Sequence, residues 1–285
     1  MLALIKRNCI LYFRNRSGVI FSLMGALISF ILYLVFLKDN IESSWSRIDD
    51  TNQLLDTWLM GGTLAITGIT TTLSSLSQWT KDKESHVRQD LLITDLGYWP
   101  LSFSYILSAA FIGFVMQLIM LAIMGSYFYM ADQVSLSWSV WPQLLAVMLL
   151  NTLISTLLNA LLVSRMGSVD NLGKLATVFG AASGFLVGTY VPIGALPDFA
   201  QTLMKCTPGA YIASLFRQVL MADTLKNNFS QGSAREHFEK LMGIRLDWQD
   251  LLTNVQTYYI VVGILAIGLV LFSLQNALMQ RRVLV

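Results

Sequence analysis

Charge is scarce in this 285-residue sequence: only 13% of its residues are Asp, Glu, Lys or Arg, whereas 55% are hydrophobic. A typical soluble domain carries about 25% charged residues. The deficit excludes an ordinary soluble fold and indicates that lipid surrounds most of the chain. We therefore expect the lipid bilayer as the main surroundings and no nucleic acid partner.

Cysteine and histidine are also rare, with two of each. The topology predicted below puts Cys9 and Cys206 on opposite faces of the membrane, which excludes an intrachain disulfide between them. It also puts His86 and His237 in opposite aqueous loops, and the sequence has neither an HExxH motif nor a nucleophile elbow. We expect no catalytic residues and no metal site.

Long uncharged runs occupy most of the chain, and the charges form short clusters between them. About 20 apolar residues in a helix cross the roughly 30 Å hydrocarbon core of a bilayer. The runs predict an all-α integral membrane protein with six transmembrane helices, at Gly18–Leu37, Thr57–Gln78, Leu101–Met130, Trp141–Ser164, Leu175–Gly194 and Thr257–Gln280.

The basic residues predict the orientation of these spans. Lys and Arg are enriched in short loops on the cytoplasmic side, and here only Lys38 and Arg47 lie in the short loops opposite the termini. We predict a multi-pass protein of the plasma membrane with both termini cytoplasmic. Residues 1–17 combine basic and apolar side chains in a helical pattern, which predicts an amphipathic interfacial helix ahead of a six-span domain at 18–285.

None of the six runs contains a charged residue or a histidine, although proton- and ion-coupled carriers use such residues as relays. An ion-driven carrier is therefore disfavoured. The segment from Gly167 to Leu175 resembles a phosphate-binding loop only superficially: five residues separate its glycines, and Leu175 replaces the metal-binding hydroxyl. We interpret it as a hairpin turn and expect no nucleotide or other cofactor in this chain.

The loop at 79–100, between the second and third predicted spans, combines charged and apolar residues in a helical pattern. Val87, Leu91 and Leu92 can share one apolar face. Charged residues surround that face, namely Lys83, Glu84, Arg88 and Asp90. The pattern fits either a solvated loop helix or a surface that docks a partner.

Prolines interrupt the chain after the fifth predicted span. Pro192, Pro197 and Pro208 separate apolar helices of roughly 8 and 14 residues, which are too short to cross a bilayer. They are candidates for a re-entrant or interfacial pair on the outer side, within an outer segment at 191–256. The more polar part of that segment, Asp223 to Asn254, can cap the outer vestibule or contact the transported molecule.

Small and hydroxyl residues recur within the spans. Gly180, Gly184 and Gly188 are four residues apart, which predicts a glycine face on the fifth span for close helix packing. On the second span, hydroxyls can either line a polar substrate path or bond to their own helix: Thr63, Thr67, Thr70 and Thr71. Spacing alone leaves these alternatives open.

The whole chain resembles the permease subunits of type-2 ABC exporters. The resemblance rests on three segments: the charged run Lys81 to Arg88 followed by Leu91-Leu92-Ile93-Thr94 and the turn Gly97 to Pro100; the run Gly188 to Phe199 with its Pro-x-x-x-Leu-Pro pattern; and Cys206 to Tyr211 followed by Leu215 to Gln218. In that family the first segment is a coupling helix, and the second and third form an outer re-entrant helix pair.

The resemblance implies a permease without an ATPase site of its own. Its partners would be a separate cytoplasmic ABC ATPase, which binds ATP and magnesium, and a second permease, either an identical copy or a sister chain. It implies export of a hydrophobic or amphipathic substrate such as a drug, a peptide or a lipid. The rival interpretation is a membrane sensor or assembly protein that uses the same scaffold without transporting anything.

Overall fold

The computed structural model describes residues 1–38, 51–93, 97–229 and 232–283, and these ranges are helical with no strand beyond an isolated bridge between Asp247 and Leu251. Lipid offers no hydrogen-bond partners to the backbone, whereas a helix pairs its own backbone N–H and C=O groups. The predicted all-α class is confirmed. Arg47 and Thr94 lie outside the described residues.

Twelve α-helices make up this part of the chain. They are α1 Leu2–Arg14, α2 Arg16–Leu32, α3 Thr51–Glu84, α4 Val87–Ile93, α5 Tyr98–Asp132, α6 Trp141–Val163, α7 Val169–Leu186, α8 Asp198–Lys205, α9 Pro208–Leu220, α10 Ala222–Asn228, α11 Gly232–Leu241 and α12 Asn254–Val283. A π-helical turn at Tyr33–Leu37 continues α2.

Five helical segments in the described ranges are long and apolar enough to cross a membrane: Arg16–Leu37, Thr51–Glu84, Tyr98–Asp132, Trp138–Val163 and Asn254–Gln280. The predicted fifth span, Leu175–Gly194, is not confirmed. Its helix, α7, starts earlier, at Val169, and ends at Leu186, so Asp170 and Lys174 lie in its first turns. The apolar residues after Leu186 form a turn and a loop instead, and a sixth crossing stays a prediction.

The central element is α3, which packs against α2, α5, α6, α7 and α9. Its 34 residues exceed a bilayer's hydrocarbon thickness, so its two ends lie in different surroundings. We call them the Thr51 end and the Glu84 end of the bundle. The last span, α12, lies at the periphery and exposes apolar side chains such as Val262, Ile267 and Leu271, as a helix facing lipid does.

Small helices surround each end of α3. At the Glu84 end, α1 packs across α5, and α4 follows α3 directly. At the Thr51 end, the chain passes through α8 and α9, which have 8 and 13 residues. These lengths agree with the proline spacing, but the re-entrant placement of this pair and the interfacial placement of α1 stay predictions.

Candidate functional site

An apolar cleft of about 400 Å³ opens between α3, α6, α7 and α9. The α3 residue in its wall is Ile69, and Pro208 and Ile212 come from α9. Gly209 of α9 and Thr207, just before that helix, also line it, and the rest of the lining comes from α6, from α7 and from the residue after α7: Asn151, Ile154, Ser155, Leu158, Asn159, Val178, Phe179, Ala182, Ser183, Leu186 and Val187. Of the three prolines predicted to delimit the outer helix pair as a re-entrant gate, Pro192, Pro197 and Pro208, this wall contains Pro208.

The two asparagines of this cleft direct their amide groups toward α3. Asn151 Nδ2 donates to the Leu64 carbonyl over 3.0 Å, and Asn159 Nδ2 donates to the Ile69 carbonyl over 2.9 Å. A buried amide must be paired, and these bonds also hold α6 against α3. The cleft thus offers an apolar surface with few polar groups, which suits a hydrophobic or amphipathic molecule.

The predicted path of hydroxyls on α3 does not line this cleft. Thr67, Thr70 and Thr71 donate to carbonyls four residues earlier on their own helix, over 2.8, 3.1 and 2.6 Å. Thr63, Thr67 and Thr71 are fully buried among neighbouring helices. Thr67, Thr70 and Thr71 therefore bond to their own helix, one of the two alternatives that spacing left open, whereas the buried Thr63 hydroxyl has no hydrogen-bond partner among the described residues. A role in transport stays a prediction.

The glycine face predicted for the fifth span differs in the structure. Gly188 lies two residues beyond the end of α7 in a turn with φ of 69°, so it shares no helical face with Gly180 and Gly184. Open space surrounds Gly180, and Gly184 packs against the ring of Tyr190, which folds back onto α7. The four-residue spacing of the glycines continues past Leu186, but the helix ends at Leu186.

The close helix approach occurs instead on α3, at Gly61 and Gly62. A Cβ atom at Gly61 would lie 3.0 Å from the Arg217 backbone nitrogen, and one at Gly62 would collide with the Thr189 hydroxyl. The missing side chains let α9 and the turn after α7 lie directly against α3. The adjacent glycines in an apolar run were the available signal, and sequence reasoning missed it.

Arg217 is a further residue whose role sequence reasoning missed. Its guanidinium is buried on α9 and donates to three backbone carbonyls: Nη2 to Gly188 over 2.8 Å, and Nε and Nη1 to Trp58 and Gly243 over 3.4 Å each. It also lies 4.5 Å from the centroid of the Trp58 ring. No carboxylate pairs with it among the described residues.

These contacts make Arg217 the junction of the Thr51 end. One side chain joins α3, the turn after α7, α9 and the segment after α11. Gly188 and Gly243, which supply two of the carbonyls, both have positive φ, a backbone conformation that glycine adopts without strain. The sequence signal was a lone arginine in the apolar helix that follows Pro208.

At the Glu84 end, the predicted coupling residues divide into two groups. Lys83 and Glu84 belong to the last turn of α3, not to the loop helix α4. Lys83 Nζ donates to the Met166 carbonyl over 3.0 Å, and Glu84 Oε2 accepts from the Val169 backbone nitrogen over 3.1 Å. These two side chains connect the end of α3 to the turn between α6 and α7.

The second group lies on α4, a helix of seven residues. Arg88 lies over the rings of Trp79 and Tyr98, at 5.8 and 5.1 Å from their centroids. Leu91 and Leu92 are partly buried against the core, and Val87 is also partly buried. The apolar α4 residue that projects outward is Ile93, which is 85% exposed.

An ion pair fixes α1 to this end of α3. Arg7 donates through Nη1 and Nη2 to the two carboxylate oxygens of Asp82, over 2.7 and 2.9 Å. Tyr105 also donates to Asp82, over 2.6 Å. Hydrogen bonding to Asp82 raises the pKa of Arg7, which keeps the guanidinium charged. Movement of α1 is thereby connected to α3 and α5.

This bundle defines a class of protein. Several long apolar helices enclose an apolar cleft, and short helices connect to both ends of the central helix, an architecture suited to a membrane permease.

Comparison with known families gives the particular family. Residues 1–221 match the model of the family described as ABC-2 type transporter. The match covers more than half of the 285 residues, so the chain belongs to this family. Among curated proteins, no match was found. The chain is the membrane permease of an ABC transporter, and the family's membrane domain does not include the ATPase domain.

Proposed function

We propose that this permease exports a hydrophobic or amphipathic molecule with energy supplied by a separate cytoplasmic ATPase. The observation that carries the proposal is the apolar cleft of about 400 Å³ between α3, α6, α7 and α9. Its volume lies in the range of small-molecule sites. The substrate class follows from the mainly apolar lining: the amides of Asn151 and Asn159 already bond to α3, so the cleft offers few polar groups to a bound molecule.

The second element of the proposal is the docking surface for the ATPase at the Glu84 end. Ile93 supplies an exposed apolar side chain, and Asp90 adds an exposed charge on the same short helix. Interfaces commonly combine an apolar anchor with surrounding charges that orient the partner. ATP and magnesium would be bound by the partner.

Transmission from this surface to the cleft would run through α3. A displacement of α4 acts on the last turn of α3, where Lys83 and Glu84 connect it to the start of α7. Because α3 and α7 both line the cleft, a rigid shift of either helix changes its width. Two permease chains, identical or sister, would enclose the complete substrate path.

The test uses two neighbouring alanines on α7. Ala182 lines the cleft, whereas Ala181 is exposed outside it. Permease and ATPase are reconstituted in vesicles, and ATP-dependent uptake of a lipophilic fluorescent dye is measured. We expect Ala182→Trp to lower uptake about tenfold, since the indole fills the cleft, whereas Ala181→Trp retains it.

Two results would contradict the proposal. Equal uptake by both variants would show that the substrate does not pass through this cleft. Absence of ATP-dependent uptake in wild-type vesicles, with the ATPase bound and hydrolysing ATP, would favour the non-transporting sensor or assembly protein. As a further check, the purified chain alone should hydrolyse no ATP, because nucleotide turnover is assigned to the partner.

A further inference from the structure

A second pocket, of about 320 Å³, lies at the Thr51 end of the bundle, separate from the cleft. Four parts of the chain form it: the turn at Ile193–Ala195, α8, α11 and the residues after α11. Residues after position 221, the end of the family match, supply six of the ten lining residues: His237, Lys240, Leu241, Arg245, Leu246 and Asp247. The pocket therefore depends on a part of this chain outside the family match.

The wall of this pocket is closely packed and hydrogen-bonded. Gly194 lies so close to α11 that a Cβ atom there would be 2.6 Å from the Leu241 Cα. Arg245 is held by Nε and Nη2, which donate to the carbonyls of Leu252 and Leu251 over 2.8 and 2.7 Å. A preformed wall binds a ligand without the cost of ordering a loop.

The charge of this pocket is positive. Lys205, Lys240 and Arg245 line it, and Asp247 is the acidic residue in the lining. Asp247 pairs with Lys240 over 2.5 Å. Behind the wall, the buried carboxylate of Glu239 accepts from Arg245 and from Arg235. Two arginines therefore share one glutamate, and a net positive charge remains.

Lys205 is the cation best placed to bind a ligand. Its ammonium lies 5.8 Å from the centroid of the Trp248 ring, and no carboxylate pairs with it in the described ranges. Apolar side chains, Ile193 and Leu246, complete the pocket. A lysine ammonium beside an apolar floor is suited to a phosphate oxyanion that is attached to an apolar group.

We propose that this pocket binds a phosphate-type oxyanion, with Lys205 as the main donor and Lys240 and Arg245 supplying the surrounding positive field. The ligand is either the head group of an anionic amphiphile or a free phosphate. Binding requires neither ATP nor transport, so the proposal can fail while the proposed function holds, and the reverse is also true.

Calorimetric titration of the full chain in a neutral detergent tests the proposal. The probes are dihexanoyl phosphatidic acid, inorganic phosphate and, as the control without a net charge, dihexanoyl phosphatidylcholine. We expect phosphatidic acid to bind, and Lys205→Gln to weaken its binding about tenfold, because a hydrogen bond between two charged groups is lost. The matched control is Lys226→Gln, an exposed lysine on α10 outside the pocket, which should leave binding unchanged.

Fluorescence locates the binding. Because the Lys205 ammonium lies over Trp248, a bound oxyanion should change the emission of that indole, and Trp248→Phe should abolish the change. Binding of phosphatidic acid alone identifies an amphiphile head group, and equal binding of inorganic phosphate identifies a free oxyanion; both support the site. Equal binding of phosphatidylcholine, unchanged affinity in Lys205→Gln or absence of binding by both phosphates would overturn the proposal.

Discussion

The two ends of α3 each hold a buried or half-buried arginine, but they neutralise its charge differently. At the Glu84 end, Arg7 is 32% exposed and forms a bidentate pair with Asp82. At the Thr51 end, Arg217 is 2% exposed and bonds to three backbone carbonyls. An ion pair connects two side chains, whereas carbonyl ligands fix the backbone of every segment that provides one.

The comparison suggests different roles for the two ends. The Thr51 end is held as one unit, because loss of Arg217 would remove hydrogen bonds to carbonyls of three segments at once. At the Glu84 end one partner in each connection, Arg7, Lys83 or Glu84, is at least partly exposed, and such contacts can be rearranged at lower cost. A permease driven by a partner at one end needs such an asymmetry: a firm end and a movable end.

The largest expected effect is at Arg217. Replacement by Met keeps much of the volume but removes all donors, and we expect a loss of about 3 kcal/mol or more in unfolding free energy. Thermal unfolding in detergent measures it. Arg217→Lys serves as the control for charge, because an ammonium retains the charge but lacks the planar donors that reach three carbonyls. If Arg217→Met unfolds at the wild-type temperature, the Thr51 end is not held by this residue.

The next effect concerns α7 and the turn that follows it. Gly184→Leu would displace the Tyr190 ring, and we expect a destabilisation of about 1–3 kcal/mol by overpacking. Gly180→Leu is the matched control, since open space surrounds Gly180. Thermal unfolding of both variants decides. Equal unfolding temperatures would mean that the Tyr190 ring moves aside freely. The Thr51 end would then be no more rigidly held than the Glu84 end.

A smaller effect is expected for the pair at the Glu84 end. A double-mutant cycle with Arg7→Met and Asp82→Asn should give a coupling of about 1 kcal/mol, because Arg7 is partly solvated. The cycle is measured by unfolding in denaturant. A coupling as large as the effect at Arg217 would remove the difference between the two ends.

The smallest effect on stability, with a large effect on partner binding, is expected at Ile93. Its side chain is 85% exposed, so Ile93→Asp should leave unfolding unchanged while releasing the ATPase in co-purification. Replacing Leu91 and Leu92 together by Asp should also release the ATPase but with loss of stability, because both pack on the core. Retention of the ATPase by Ile93→Asp would exclude α4 as the docking element.

The sequence by itself determined the features that depend on composition and local spacing. Low charge and long apolar runs indicated an all-helical membrane protein, and the positions of Pro197 and Pro208 predicted α8 and α9 to within a residue or so in length. These features follow from lipid as the solvent and from the backbone of proline, which act on each segment separately.

Tertiary structure alone decided where helices end and which side chains meet. The spacing of the apolar run suggested a helix as far as Gly194, but α7 stops at Leu186, where Gly188 turns the chain at positive φ and Arg217 binds its carbonyl. Likewise, helical spacing placed Leu91 and Leu92 on an apolar face, but only packing showed that this face belongs to the core and that Ile93 projects outward. Contacts between residues distant in sequence carry no local periodicity, so they become visible only when the chain is folded.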